Sequence, residues 1–211
     1  MSEAQAKYVT AVRDNVLDLT SPWQERIVRP EYLDGGKTRT RVDIVEHPSL
    51  VEQLGESLVP SGGVADSQAK GVFKSRPPLN MEALDSLVHL ENEVDVWLRV
   101  GLKMPSRGDV ADSLRLLAAE CARLERVDLV ELAKDTRRWL TTARTVTEWE
   151  TPPWKPNVPC PLCERRSLRV RLSTQTAVCT NCREAWSPEN IALLADYVRL
   201  ATGGEGDLSV G

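Results

Sequence analysis

The sequence predicts a mainly α protein: a small helical bundle, a C-terminal β-hairpin that carries cysteines and is followed by a helix, and a mixed N-terminal segment. Three observations lead there. Between residues 80 and 145, apolar side chains recur at spacings of three and four, as along one face of a helix. Four of the five cysteines stand in two CxxC pairs on either side of an alternating stretch. The first 59 residues pass from a helical period to an alternating one and back.

The N-terminal segment, residues 1–59, opens with a helix over Ala4–Leu19, where Tyr8, Val9, Val12, Val16 and Leu19 share a face. Ser21-Pro22 marks a turn or a new start. After the turn signal Asp34-Gly35-Gly36, the alternation of KTRTRVDIV predicts a short strand over Lys37–Val45. His47-Pro48 then introduces a short amphipathic helix with Leu50, Val51, Leu54 and Leu58. Residues 60–78, PSGGVADSQAKGVFKSRPP, lose all periodicity and read as a linker, or as an arm that orders on a partner through Phe73 and its basic neighbours Lys70, Lys74 and Arg76.

Residues 79–150 read as a three-helix module. Asn80 can cap a helix bearing Leu84, Leu87, Val94 and Leu98, with Trp97 near that face. Gly101–Gly108 breaks it. Val110, Leu114, Leu117, Cys121 and Leu124 mark a second helix, and Leu129, Leu132, Ala133, Thr136, Leu140 and Ala143 a third, the two joined or bent near Val127. An antiparallel bundle follows, with Trp97 and Trp139 as core residues and Cys121 as a buried thiol.

In residues 151–200, the prolines of TPPWKPNVP make an extended strap. Cys160 and Cys163 form one knuckle and Cys179 and Cys182 the other. Leu168, Val170 and Leu172 alternate with Arg169 and Arg171, a polar turn follows, and Ala177-Val178 returns as a second strand. Such a hairpin brings the two knuckles together, so that four thiolates can surround one Zn²⁺ at about 2.3 Å. This is the zinc-ribbon arrangement. Iron in a double-knuckle site is the alternative, but Glu164 and Arg183 stand where such sites usually carry glycine. Trp149, Trp154 and Trp186 are read as covering the site. Ser187 and Pro188 should start a helix carrying Ile191, Leu194, Ala195 and Val198, and residues 201–211 read as a disordered tail.

Four cysteines close a tetrahedron, which argues for a structural ion and against an enzyme. No Walker, dinucleotide, HExxH or GxSxG motif occurs. His89-Leu90-Glu91 has the HxE form of deaminase zinc arms, yet two further cysteines already complete the site, and His89 is read as a helix-surface residue. No small-molecule substrate is expected. The net charge of −4 and pI near 5.4 exclude a global basic footprint for nucleic acid. The span from Lys155 to Trp186 is the exception, with six basic residues against two acidic ones. Arg165, Arg166, Arg169, Arg171 and Arg183 are therefore the candidate contacts to DNA, RNA or a protein partner, Arg169 and Arg171 on what should be the wet face of the hairpin. With no apolar run of ~18 residues and no secretion-type start, a cytoplasmic, non-membrane setting is expected.

SRPPLNMEALDSL, the helices after it, and WxxxxxCPLC…VCTNCREAW together resemble uncharacterised zinc-ribbon-containing helical proteins of actinobacterial tailed phages and prophages, over residues 75–200. The resemblance implies a phage-related role, in the host cytoplasm or in the virion, with the four paired cysteines as ligands. The expectation is thus a non-enzymatic adaptor whose structural zinc ribbon binds nucleic acid or a nucleoprotein partner. Its competitor is an assembly or virion component, self-associating or bound to a phage structural protein, in which the ribbon only packs. A metal-dependent enzyme is the remote third reading.

Overall fold

In the computed structural model, the described residues are 3–33, 37–57, 81–147 and 153–201. The linker or arm at 60–78, the Asn80 cap, Leu58, Trp149 and the tail beyond residue 201 lie outside them. The molecule is mainly α, as the periodicity predicts. Its helices are α1 (Glu3–Thr20), α2 (Leu50–Glu56), α3 (Met81–Val96), α4 (Val110–Glu120), α5 (Arg126–Val146) and α6 (Ile191–Ala201). An antiparallel hairpin, β1 (Trp23–Leu33) and β2 (Lys37–His47), stands between α1 and α2. A three-stranded antiparallel sheet, β3 (Leu168–Arg171), β4 (Thr176–Cys179) and β5 (Ala185–Trp186), forms the C-terminal ribbon.

The helices of the 79–150 module do not make a core by themselves. α1 lies along α5 and α4, and α2 packs against α3 and α5. Val12 and Leu19 of α1 and Leu54 of α2 are buried in one cluster with Leu98, Leu114, Leu117, Leu129 and Leu132. The division of the chain at 59 is therefore not a division of the core. A three-helix module of this size has a small core, and the amphipathic faces of α1 and α2 enlarge it.

Local signals fix the boundaries. Ser49 and Glu52 form a reciprocal capping box on α2. The Asp109 side chain accepts from the Ala111 N–H at the start of α4. α3 widens into a π-turn over Trp97–Gly101. A Cβ on Gly101 would stand 3.2 Å from the Trp97 ring and 3.3 Å from a Leu124 methyl, so the chain turns there because glycine lets Trp97 and Leu124 close over it. On α3, the buried positions are Ala83, Leu90 and Val94, while Leu84 is only half-buried. α4 and α5 are separate helices, parted at Leu124 and Glu125, where the backbone is extended. The trailing helix starts at Ile191 instead of Pro188. Asn190 Oδ1 accepts from the Ser187 N–H at 2.7 Å and holds residues 187–190 in a turn first.

The β1–β2 hairpin is longer than the predicted strand and includes β1, which the alternation does not reveal. Pro30 and four charged residues interrupt the pattern of WQERIVRPEYL. The register pairs Trp23 with His47 through Leu33 with Lys37.

Candidate metal centre

Each cysteine pair sits on a tight knuckle, and the two knuckles repeat one hydrogen-bond pattern. The Cys160 carbonyl accepts from the Glu164 N–H at 2.9 Å, and the Cys160 N–H donates to the Arg165 carbonyl at 2.8 Å. In the second knuckle, the Cys179 carbonyl accepts from the Arg183 N–H at 2.8 Å, and the Cys179 N–H donates to the Glu184 carbonyl at 2.9 Å. Both turns close through a left-handed residue, Glu164 with φ 61° and Arg183 with φ 62°. Only glycine adopts that conformation without strain. These are the two positions at which the sequence lacks glycine, so the knuckle geometry prevails over the local preference of Glu and Arg.

β3 and β4 pair from Leu168 opposite Cys179 to Arg171 opposite Thr176, which lays the second knuckle beside the first. The ligand atoms of Cys160, Cys163, Cys179 and Cys182 all lie within 4.8 Å of one another. The Cys160–Cys182 sulfurs are 3.8 Å apart and the Cys163–Cys179 sulfurs 3.6 Å. A tetrahedron with ~2.3 Å metal–sulfur bonds has edges of ~3.8 Å, so these two opposite edges fit a single ion. The Leu162 N–H points at Cys160 Sγ, the Asn181 amide at Cys163 Sγ, and the Ser167 hydroxyl lies 3.2 Å from Cys179 Sγ. Such contacts orient thiolate ligands and stabilise their charge. The four cysteines can hold a metal ion.

The sulfurs differ as acids. The Arg165 backbone N–H, aided by Asn181, holds the Cys163 thiol down at about 6. Burial pushes Cys182 up to about 12 and raises Cys160. Four thiolates this close repel one another, and a cation at their centre is what allows all four to ionise together.

The ribbon sheet has two buried faces. Leu168, Val170, Ala177, Cys179 and Trp186 point to one side, where Val158, Leu194 and Val198 complete a small core. The strap predicted before the first knuckle joins its edge, where Trp154 pairs with Val170. Trp186 lies inside this core, whereas Trp154 is 44% exposed and does not cover the cysteines as the sequence reading supposed.

The other face carries the arginines, and it is not wet. Val178 is buried in the core of the helical bundle and Ala185 packs against it. Arg171 is 7% exposed, and its guanidinium donates to the carbonyls of Thr147 and Thr145 beyond and within the last turn of α5. Arg169 forms a two-pronged ion pair with Glu82 on α3, with Nε 2.7 Å from Oε2. Arg183 reaches Asp85, one turn further along, at 2.9 Å. Thr145 and Thr176 share a buried hydroxyl contact at 3.0 Å, and Arg137 binds Glu189 and Ser187. Strand alternation correctly separates the arginines from Leu168 and Val170. It cannot say that a second layer lies over the arginine side. Of the five candidate contact arginines, Arg165 and Arg166 stay exposed, and Arg166 also donates to Asn157 at 3.0 Å.

Glu82 is the site residue that sequence reasoning missed. Half-burial pushes its carboxyl up, but the Arg169 guanidinium and then Lys155 more than offset this and hold it below the usual carboxylate range. Its position in the first turn of α3 was the available signal. His89 is a partly exposed helix residue whose Nε2 lies 3.1 Å from Glu93. Glu93 in turn accepts from Arg138 and from the Trp139 indole, and the Trp97 indole donates to Asp135 at 2.9 Å. Glu93 of α3 and Asp135 of α5 thus tie the two helices together. Cys121 is fully buried, its thiol donating to the Ala118 carbonyl at 3.2 Å. Among the described residues, no helix is long and apolar enough to cross a membrane.

A family model described as a domain of unknown function (DUF7341) matches residues 6–146. That stretch runs from α1 to the end of α5 and stops before the ribbon. No curated protein and no solved structure matches the chain. Because the match covers more than half of its length, the chain belongs to the DUF7341 family.

Proposed function

We propose that this protein is a non-enzymatic assembly or adaptor component in which a structural zinc ion folds the C-terminal ribbon, and the ribbon serves as an internal clamp on the helical bundle. The observation that carries this reading is the direction of the arginines. Arg169, Arg171 and Arg183 bind Glu82, the Thr147 carbonyl and Asp85 of the same chain, so the charge that would have met phosphate is spent on the protein's own helices. The donor set supports zinc: four thiolates in a tetrahedral arrangement, with amide and hydroxyl groups aimed at the sulfurs and all four positions supplied by the protein. Bound there, the ion would supply folding energy to a segment too small to hold itself. The resemblance of residues 75–200 to proteins of actinobacterial tailed phages fits an assembly role in the host cytoplasm or in the virion.

Metal analysis of protein purified without added metal, with Cys179→Ser as control, tests the zinc. Titration with DNA and RNA over a range of salt tests the clamp reading against the nucleic-acid one. No salt-dependent binding is expected. Binding that weakens with salt and again in Arg165→Ala/Arg166→Ala would overturn it, since those arginines remain on the surface.

A further inference from the structure

The β1–β2 hairpin has strands of eleven residues, ~35 Å long, and among the described residues neither strand pairs with a third. Two-stranded hairpins are marginal in water unless something covers a face. Register separates the faces. On one, Trp23 stacks on His47 at 4.1 Å, Arg41 pairs with Asp43 at 2.7 Å, and Val45 is 37% exposed. On the other, Val28 stands opposite Val42 and Arg26 opposite Ile44. There Val28 is 58% exposed, Val42 41% and Ile44 66%. One cation, Arg26, and one anion, Glu46, stand at the base of this face, in neighbouring rows on different strands.

We propose that this face docks on the same face of a second copy of the chain. Laid face to face about a two-fold axis that runs along the hairpin, β1 of one copy lies over β2 of the other. Val28 then meets Val42 of the second copy. Arg26 lies over the stretch that carries Ile44 and Glu46, and the symmetry repeats each contact. The apolar patch covers itself, and the only charges flanking it among the described residues meet their opposites. A phosphate backbone would find one cation and one anion here, which does not suit nucleic acid. A face with three exposed apolar residues and one charge pair makes a reversible, concentration-dependent dimer. The hairpin lies apart from the ribbon in the chain, so this inference goes beyond the zinc reading and does not rest on it.

Sedimentation velocity on the full chain up to about 100 μM tests it. A concentration-dependent dimer is expected. Ile44→Lys, Arg26→Glu and Glu46→Arg should each weaken it at least tenfold, with helicity and metal content kept as the folding control. Mixing Arg26→Glu with Glu46→Arg should restore association. In the mixed dimer the charges oppose correctly between copies, while the like charges inside each hairpin persist, so restoration cannot come from the hairpin's own stability. A monomer at every concentration, a dimer indifferent to these substitutions, a mixture that stays monomeric, or a monomer that binds duplex DNA through this face would each overturn the proposal. Chelation is expected to leave the association unchanged, which separates failure here from failure of the zinc reading.

Discussion

The two β-structures of this molecule are opposites. The ribbon has strands of four, four and two residues, yet one of its faces meets α6 and the other meets the helical bundle. The N-terminal hairpin has strands nearly three times as long and leaves Val28, Val42 and Ile44 exposed. Strand length therefore does not decide which sheet is built into the body. What distinguishes the ribbon is a ligand set that can fix its fold locally, and a row of arginines whose partners lie on α3 and α5. The difference is open to perturbation, because the residues that hold each structure can be changed separately.

The largest expected effect comes from the cysteines. Cys179→Ser, or chelation, should remove metal binding worth on the order of 10 kcal/mol to the ribbon. Hydrogen exchange should then become fast across β3–β5 and at Val178, while the amides of β1 and β2 keep their rates. If the hairpin loosened to the same extent, the two sheets would not be independent.

Arg171→Ala should come next. It strips the Thr147 and Thr145 carbonyls of a buried charged donor and should lower stability by about 2–4 kcal/mol. Thermal unfolding would report it, and zinc stoichiometry should stay at that of the parent. A smaller loss, about 1–2 kcal/mol, is expected for Glu82→Gln, because Glu82 is partly exposed. This pair also gives a pH dependence. Glu82 has a folded-state pKa below its ordinary value, so its contribution is complete above about 4.5 and is lost as the pH falls through the depressed value. Acid should release the ribbon from α3 in the parent at a pH below that range. In Glu82→Gln that acid-dependent step should be missing, as read from exchange at β3. Least of all, Glu164→Gly should raise ribbon stability by about 0.5–1 kcal/mol, since glycine accepts the left-handed turn without strain.

These contrasts also explain what the sequence could and could not say. α1, α4 and α5 were legible because their apolar residues keep the helical period over three turns or more. The convergence of the four cysteines was legible because two CxxC pairs around a hairpin admit few arrangements. β1 was hidden by Pro30 and by charges on both parities, which break the alternation of WQERIVRPEYL. The role of Arg169 and Arg171 was misread for a different reason. Alternation reports that two faces differ, but burial of the second face depends on α3 and α5, which lie far away in the chain. The direction of Arg169 depends on Glu82, 87 residues earlier, and no local pattern encodes that pairing.

The central claim is that four thiolates of this chain close around one structural zinc ion. X-ray absorption at the zinc edge of the purified protein measures that directly. The account predicts four sulfur scatterers at about 2.3 Å and no oxygen or nitrogen in the first shell. Three sulfurs with an oxygen or nitrogen ligand, which is the signature of an open site, or protein that carries no zinc at all, would contradict it.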